Sequence, residues 1–287
     1  MKDHVLGLIA GGGRLPVLVA QGMRKAGARV CGIGLRDHYD PALREQCDHF
    51  VVMGFLRLGR WIKYLRGHGI RQTVLVGRVS KARMHQPLRM IRQIPDWRAL
   101  RVWYRRLGND RRNATVLKAL ADELRDNGIT LIDSTTYITE HLADEGVMTR
   151  IGTSARHDTD ISEGWPLLRR MVSLDIGQSL AICDGKVLAV ESLEGTDAMI
   201  ERAGGLNGSG WTLLKAPAEG HDMRFDVPAV GPVTIERMAR AGAGCLALRA
   251  GSVIMIDKAK VLAAAERLGI PIVGVTVKGS DPFTGRR

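Results

Sequence analysis

The residues best suited to chemistry are concentrated in one stretch, which runs from Glu191 to Pro232 as ESLEGTDAMIERAGGLNGSGWTLLKAPAEGHDMRFDVPAVGP. This stretch mixes glycines with charged residues that a protein core rarely accepts, because an ion buried without a partner costs on the order of several kcal/mol. The acids considered are Glu191, Glu194, Asp197, Asp222 and Asp226, and the bases are Lys215 and Arg224. Carboxylates that hold a divalent cation beside bases that clamp phosphates are typical of phosphoryl transfer, in which water attacks phosphorus. A structural network of charges is the alternative interpretation.

The two halves of this charged set have different local patterns. In the first half, three acids follow an apolar strand and surround the turn at Gly195 and Thr196. In the second half, two aspartates are spaced i, i+4 on either side of Arg224. Either half alone is compatible with turn formation or helix capping. The chemical interpretation therefore depends on the two halves acting together.

Three consecutive glycines, Gly11, Gly12 and Gly13, follow the apolar segment VLGLIA at residues 5–10. Pro16 then opens a helical pattern, so the order is strand, tight turn and helix, as in the first βα unit of a nucleotide-binding sheet. Backbone N–H groups at such a turn, together with the helix dipole, can bind a phosphate. The dinucleotide fingerprint G-x-G-x-x-G is absent, because it requires glycine at position 16. A phosphate contact and a purely structural turn are both left open.

Strand-like and helical patterns alternate through the N-terminal half, which predicts a parallel sheet covered on both faces. Further along, SLAICDGKVLAVE predicts a hairpin that turns at Asp184-Gly185. Residues 134–165 lack a regular pattern and are interpreted as a connector, and the glycine-rich residues 195–210 are interpreted as loops. We therefore predict two α/β domains, with a Rossmann-like parallel sheet in residues 1–135 and the catalytic motifs in residues 136–287.

A strongly basic segment runs from Arg78 to Arg112, with eleven Lys and Arg residues against Asp96 and Asp110. Asp96 is predicted to cap an amphipathic helix whose apolar stripe packs on the protein while its arginines face solvent. The stripe consists of Trp97, Leu100, Trp103, Tyr104 and Leu107, and the arginines are Arg98, Arg101, Arg105 and Arg106. Contact of the arginines with an anionic membrane surface is the functional alternative. No motif that reads or stacks bases is present, so nucleic acid is the least favoured partner.

Composition narrows the classes of function. The chain has 42 Lys and Arg against 30 Asp and Glu, a net charge of +12, which favours an anionic partner. No apolar run approaches the roughly 18 to 20 residues of a membrane span, and the N-terminal sequence lacks the pattern of a signal peptide, so a cytoplasmic location is expected. The four cysteines have no Cys-x-x-Cys spacing, which argues for reduced thiols and against a structural zinc site.

Three segments resemble the UDP-2,3-diacylglucosamine pyrophosphatases of the LpxI type. They are GLIAGGGRLPVLVA, DIGQSLAICDGKVLAVESLEGTDAMIERAG, and HDMRFDVPAVGPVTIERMARAG with the trailing LALRAGSVIMID. The resemblance covers nearly the full length, and its most specific parts are EGTDAMI and D-x-R-F-D-x-P-x-x-G-P. It implies two α/β domains with the substrate in the cleft between them. It also implies hydrolysis of UDP-2,3-diacylglucosamine to 2,3-diacylglucosamine 1-phosphate (lipid X) and UMP, with Mg²⁺ or another divalent cation and with water attacking the α-phosphate.

The resemblance also assigns roles to residues of this sequence. It places the family's essential aspartate at Asp222 or Asp226, which we expect to bind the metal or to position water. Our own hypothesis adds that Lys215 and Arg224 neutralise the developing phosphate charge. The candidates for substrate binding are Gly11, Gly12, Gly13, Gln178, Glu191, Glu194, Gly195, Thr196 and Asp197. Lipid A synthesis takes place at the cytoplasmic face of the inner membrane, so the expected partners are the UDP-diacylglucosamine substrate and the anionic surface of that membrane. A homodimer is left open.

The chain departs from the family pattern just before Asp222. The family usually reads Lys-x-x-Lys-Pro-x-Gln-Asp, whereas here Ala218 replaces the second lysine, Glu219 the proline and His221 the glutamine. Asn109 also stands where the family tends to show aspartate. The first alternative function is therefore a catalytically weak homologue that binds a nucleotide-sugar or an acyl-lipid without turnover. A nicotinamide-dependent enzyme and a basic nucleic-acid-binding protein are the remaining alternatives.

Overall fold

The computed structural model describes residues 4–78, 95–107, 113–225 and 227–276, and the chain divides into two compact units. The first unit extends to Ile138 and also includes residues 222–225. The second unit comprises Thr139–His221 and the chain from Val227 onward. Each unit is a mixed α/β structure with its own sheet, which confirms the predicted fold class. The catalytic candidates are thus divided, because Lys215 belongs to the second unit and Asp222 to the first.

Five parallel strands form the sheet of the first unit, in the spatial order β3-β2-β1-β4-β5. They are β1 (Val5–Ala10), β2 (Arg29–Leu35), β3 (His49–Met53), β4 (Gln72–Val76) and β5 (Thr130–Leu131). This order is that of a Rossmann-like sheet, as the alternation of strands and helices predicted.

Helices cover the sheet of the first unit. They are α1 (Leu15–Lys25), α2 (Leu58–Gly67), α3 (Trp97–Val102), which continues into the π-helical turn Trp103–Leu107, and α4 (Asn113–Arg125); the 3₁₀ segment Pro41–Gln46 lies between β2 and β3. Trp61 and Leu65 of α2 and Leu124 of α4 form one core with Ile9 and Ile33 of the sheet. Asp96 caps α3, because its side chain accepts a hydrogen bond from the Ala99 backbone N–H at 2.9 Å, as predicted.

The second unit is built on a six-stranded sheet in the order β6-β13-β11-β9-β7-β8. Strands β9, β11 and β13 are parallel to one another, whereas β6, β7 and β8 join by antiparallel pairing. The strands are β6 (Gly146–Val147), β7 (Ser179–Cys183), β8 (Lys186–Val190), β9 (Trp211–Lys215), β11 (Ala243–Arg249) and β13 (Ile272–Val275); β10 (Ala229–Val230) and β12 (Ile254–Met255) form a separate parallel pair.

Alternate residues of β9 show that this sheet is buried on both faces. Trp211 and Leu213 belong to one hydrophobic core and Leu214 to another, because successive strand residues point to opposite faces. Helices α6 (Thr196–Asn207), α7 (Pro232–Arg240) and α8 (Lys258–Leu268) contribute to the first core, and α5 (Ala155–Ser173) contributes to the second. The 3₁₀ segment Thr139–His141 precedes β6. The hairpin of β7 and β8 turns at Asp184 and Gly185, both with positive φ, as predicted.

Two expectations about the second unit were wrong. Residues 134–165 are not all connector, because α5 begins at Ala155, where the Ser154 side chain accepts from the His157 backbone N–H. The buried face of α5 includes the carboxylate of Asp160, which accepts from the Gly185 N–H at 3.0 Å, so the apolar pattern is interrupted. Residues 196–207 are likewise helical and not a loop.

Two further expectations concern the cysteines and membrane spans. All four cysteines are thiols, and none of them forms a disulfide bond. Within the described part of the chain, no helix combines the length and apolarity needed to cross a membrane.

Candidate functional site

A buried lysine lies at the centre of the charged cluster in the second unit. Lys215 is the last residue of β9, and its side chain is only 4% exposed. Its Nζ donates hydrogen bonds to Ser179 Oγ and Thr196 Oγ1, both at 2.8 Å. Ser179 begins β7 and pairs with Lys215 in the antiparallel register, while Thr196 opens α6. One strand end, the facing strand and a helix N-terminus therefore meet at a single ammonium group.

Glu191 supplies the counter-charge. Its Oε2 lies 3.5 Å from Lys215 Nζ, and its Oε1 accepts a hydrogen bond from Thr196 Oγ1 at 2.8 Å. Burial acts to raise the pKa of this carboxyl, but the charge of Lys215 and the polar groups of Ser179 and Thr196 lower it below its ordinary value. The carboxylate therefore stays ionised at neutral pH as half of a buried ion pair.

The loop between Glu191 and α6 carries a second, exposed ion pair. Glu194 accepts hydrogen bonds from the Ser192 hydroxyl and from Arg202 Nη2, the latter at 2.6 Å, and these contacts lower its pKa to about 2. Gly195 precedes α6 with φ of 83°, a left-handed conformation that glycine adopts without strain. Asp197 lies 3.6 Å from Arg237. The predicted residues of this half are thus brought together around the first turn of α6.

The pKa of Glu191 predicts how stability depends on pH. A carboxyl whose pKa is lowered by folding stabilises the protein above its unfolded pKa, near 4.5, and loses this contribution as pH falls through the folded pKa. We therefore expect the difference in unfolding free energy between the wild type and Glu191→Gln to be constant from neutral pH to about pH 5 and to shrink only in more acid solution. Chemical denaturation across this range measures it. Glu219→Gln, which alters an exposed carboxylate of the same unit, is the control, and a difference that vanishes near neutral pH would show that Glu191 is not held as an anion.

Asp222 and Arg224 form a compact pair in the first unit. Arg224 Nε donates to Asp222 Oδ1 at 2.8 Å, and Nη2 donates to Oδ2 at 2.5 Å, so the guanidinium holds both carboxylate oxygens. The hydrogen bond to Asp222 raises the pKa of Arg224 further. Both side chains are partly exposed to solvent. Asp226, the other candidate for the essential aspartate, lies outside the described residues.

The segment 222–225 is fixed by its other residues. Phe225 is buried in the core of the first unit, and the Met223 carbonyl accepts hydrogen bonds from the Ser134 hydroxyl at 2.9 Å and from the Ser134 N–H at 3.2 Å. The guanidinium of Arg224 lies over the Phe225 ring, 5.3 Å from its centroid. The backbone is therefore anchored at both sides of Arg224, which leaves the Asp222–Arg224 pair at the surface on a fixed support.

The three positions after β1 are occupied by glycine for different structural reasons. The N–H groups of Gly11 and Gly12 donate to the carbonyls of Val76 and Arg78, both at 2.8 Å. A Cβ on Gly11 would lie 2.7 Å from the Arg78 carbonyl oxygen, so only glycine fits this approach of two backbones. Gly13 has φ of 95° and open space around a built Cβ. Two of the N–H groups proposed to bind phosphate are thus engaged within the sheet, and Gly13 is the glycine that faces open space.

A divalent cation needs several oxygen ligands in one place. Among the described residues no group of three or more His, Cys, Asp or Glu side chains has the geometry of a metal site. Asp222 could offer one carboxylate, but Arg224 holds both of its oxygens. The described side chains alone therefore do not supply a complete set of ligands for a divalent cation.

Sequence analysis did not identify one residue of the lysine network, and it did not say what several other residues contact. Ser179 was not singled out, although a serine at the start of the apolar strand SLAIC was a usable signal. Gln178 contributes its backbone carbonyl, which accepts from the Ala216 N–H at 3.0 Å. Of the departures before Asp222, Ala218 packs against an apolar cluster and Glu219 pairs with Arg169 at 2.5 Å. Both replacement side chains therefore make contacts within the second unit.

Comparison with known proteins agrees with this two-unit α/β architecture. The family described as the LpxI N-terminal domain matches residues 5–141, and the LpxI C-terminal domain matches residues 144–273. A relative from Caulobacter vibrioides named "UDP-2,3-diacylglucosamine pyrophosphatase LpxI" is 33% identical over 283 residues, which cover 94% of this chain and 97% of the relative. The chain is thus a two-domain α/β protein, and it belongs to the LpxI family.

Two solved structures have a distant resemblance to this chain. A UDP-glucose-4-epimerase from Stenotrophomonas maltophila has 13% identity and a TM-score of 0.29, over 44% of this chain and 34% of its own. Biotin carboxylase from Campylobacter jejuni has 8% identity and a TM-score of 0.28, over 70% of this chain and 41% of its own. Similarity at this level carries no information about the chemistry.

Proposed function

We propose that this chain is a hydrolase that cleaves the pyrophosphate bond of UDP-2,3-diacylglucosamine. The products are UMP and 2,3-diacylglucosamine 1-phosphate (lipid X), and the reaction belongs to lipid A synthesis. The observation that carries the proposal is that the N-terminal and C-terminal LpxI domain families both match this chain, in that order. A relative whose name states this activity aligns with 94% of the chain. The two charged clusters add the acids and bases that a pyrophosphate substrate requires.

In this proposal Arg224 and Asp222 act directly on the substrate. A guanidinium presents a planar fork of donors that fits the oxygens of a phosphate as well as it fits a carboxylate. Arg224 exchanges the oxygens of Asp222 for those of the pyrophosphate, and the released Asp222 carboxylate accepts a proton from the attacking water. The Arg224 charge is retained throughout, so it neutralises the negative charge that develops on the leaving phosphate.

Lys215 has a different role in the proposal. Its Nζ is buried and already contacts Ser179, Thr196 and Glu191. Moving it onto a phosphate would leave Glu191 ionised without its counter-charge, at a cost of several kcal/mol. The network therefore favours Lys215 as a positioning residue that fixes the loop from Glu191 to Thr196 and the first turn of α6. Glu194 and Asp197 are exposed on that loop and turn, and we propose that they contact the substrate.

The proposal includes Mg²⁺ or another divalent cation. Such an ion, when bound, neutralises pyrophosphate oxygens, and Mg²⁺ often uses only one or two carboxylates with the remaining ligands from phosphates and water. Because Arg224 holds Asp222 in the described structure, the roles given above involve only side chains of the chain. Because the substrate is acylated, we propose that the reaction takes place at a membrane surface, the cytoplasmic face of the inner membrane.

Turnover separates the proposed hydrolase from a homologue that only binds. We expect the purified protein to release UMP from UDP-2,3-diacylglucosamine and to leave unacylated UDP-glucosamine uncleaved. Calorimetry under the same conditions measures binding of each compound. Tight binding of the diacylated compound without UMP would favour the catalytically weak homologue, for which the replacement of a family lysine by Ala218 is the supporting observation.

A further inference from the structure

Aromatic side chains project from the surface around α3. Trp97 is 81% exposed, Tyr104 is 78% exposed and Trp103 is 40% exposed, and we call these three residues the aromatic patch. The sequence predicted that this stripe would pack on the protein, and for Trp97 and Tyr104 this prediction was wrong. Large aromatic rings at this exposure are costly in water, so the patch calls for an explanation.

The arginines of the same helix explain why the aromatic side chains point outward. Glu123 of α4 is only 1% exposed, and its Oε1 accepts from Arg98 Nη1 at 2.8 Å. Arg106 Nη2 lies 3.4 Å from Oε2 of the same carboxylate. Arg101 Nη2 also lies 3.7 Å from Glu123 Oε1. A buried carboxylate must be paired, so it draws these arginines toward the protein and turns aromatic side chains of the segment outward. The orientation is the reverse of the one that hydrophobic periodicity alone predicts.

The surroundings of the aromatic patch are basic. Arg105, which follows Tyr104, is exposed, and α2, which contacts α3, exposes Arg60, Lys63 and Arg66. The two helices are joined where Asp96 Oδ2 accepts from the Gly59 N–H at 2.7 Å. Neither Leu58–Gly67 nor Trp97–Leu107 contains an acidic residue. The surface therefore combines amphipathic aromatic rings with the exposed positive charges of Arg60, Lys63, Arg66 and Arg105, whereas Arg98 and Arg106 are paired with the buried Glu123.

We propose that the aromatic patch docks the protein on the anionic surface of a phospholipid bilayer. Tryptophan and tyrosine favour the boundary between lipid headgroups and hydrocarbon, since one end of each ring is apolar and the other is polar. Arginine and lysine next to them add attraction to anionic headgroups. The choice of a bilayer over a second copy of this chain rests on this charge, because two copies would bring the exposed positive charges of Arg60, Lys63, Arg66 and Arg105 on each surface together. It rests also on the proposed function, in which the substrate is an acylated lipid.

Co-sedimentation with vesicles tests the docking surface. The full chain is mixed with vesicles of phosphatidylcholine alone and of phosphatidylcholine with about one third phosphatidylglycerol. We expect binding to the anionic vesicles, weakened by salt, and a reduction of about fivefold or more in the bound fraction for the double variant Trp97→Ser, Tyr104→Ser. The control is Leu174→Ser, which changes an exposed apolar residue of the second unit and should leave binding unchanged.

The arginines provide a second comparison. Arg60→Gln with Arg105→Gln should weaken binding to anionic vesicles, whereas Arg98→Gln should mainly lower stability, because Arg98 holds the buried Glu123. Hydrolysis of substrate dispersed in detergent should be unaffected by the aromatic changes.

Three results would overturn the inference. The aromatic double variant binding anionic vesicles as well as the wild type would do so, as would equal wild-type binding to neutral and anionic vesicles. In the third result, sedimentation shows that the wild type is a dimer and the aromatic double variant is not, while the variant still binds vesicles. The aromatic patch would then be a protein–protein interface and not a membrane-docking surface. Failure of hydrolysis with docking retained would contradict only the proposed function.

Discussion

Lys215→Met is expected to lower the free energy of unfolding by about 3 kcal/mol or more, because it strands an ionised carboxylate in a buried position. The side chains of Lys215 and Glu191 are 4% and 13% exposed, so water cannot replace the lost ammonium group. Methionine nearly matches the volume of lysine, so the effect reports charge more than packing. Urea denaturation of the two proteins, compared by midpoint and slope, measures the change.

A double-mutant cycle makes this prediction specific to the pair. Lys215→Met with Glu191→Gln should be less destabilised than Lys215→Met alone, since the second change removes the stranded charge. Lys258→Met is the matched control: Lys258 pairs with Asp144 at 2.7 Å, but Asp144 is well exposed and stays hydrated when the lysine is lost. Additive effects of the two changes, or an equal loss in the control, would show that the Lys215–Glu191 pair is not a coupled buried unit.

Asp222→Asn is expected to lower kcat about 100-fold or more, about 2.7 kcal/mol of transition-state stabilisation, because the amide cannot accept a proton from water. The change keeps the shape of the side chain and one of the oxygens that Arg224 contacts. Stability should change by no more than about 1 kcal/mol, since exposed ion pairs contribute little. Steady-state rates with UDP-2,3-diacylglucosamine, with kcat and KM measured separately, and urea denaturation of the same preparation check both parts.

Glu219→Gln is the matched control for Asp222→Asn. Glu219 lies three residues earlier, is exposed and pairs with Arg169 at the same 2.5 Å that separates Asp222 from Arg224. We expect its activity to stay close to that of the wild type. Near-normal kcat for Asp222→Asn, or an equal loss for the control, would remove Asp222 from the chemistry and point to another acceptor of the proton.

Most of the fold could be predicted from the sequence, in the segments where local conformational preferences agree with tertiary packing. The order of strand, glycine turn and helix at Val5–Lys25 predicted the first βα unit, and Asp184-Gly185 predicted the hairpin turn. Prediction failed where tertiary contacts decide. Gly204 looked like a loop residue, but it lies within α6, where a Cβ would come within 2.5 Å of the Ala241 carbonyl oxygen.

The candidate site was predictable in part. Residue types and spacing identified Glu191, Thr196 and Lys215, which the structure joins in one network. Ser179 is part of that network through strand register, which the sequence does not state. The grouping of residues 222–225 with the first unit depends on Phe225 entering that core, a contact across a long sequence separation. Charge pattern could not reveal that Glu123 would turn the arginines of α3 inward.

The most direct test of the central claim is incubation of the purified protein with UDP-2,3-diacylglucosamine and Mg²⁺ in ¹⁸O-labelled water, with mass analysis of both products. Hydrolysis predicts UMP and 2,3-diacylglucosamine 1-phosphate in equal amounts. Each cleavage incorporates one labelled oxygen, which is found in only one of the two products. The label enters UMP if water attacks the α-phosphate, as the family resemblance implies, and enters the sugar phosphate if water attacks the β-phosphate. Substrate that is bound but not cleaved, or products without label, would contradict the assignment of this chain as a pyrophosphate hydrolase.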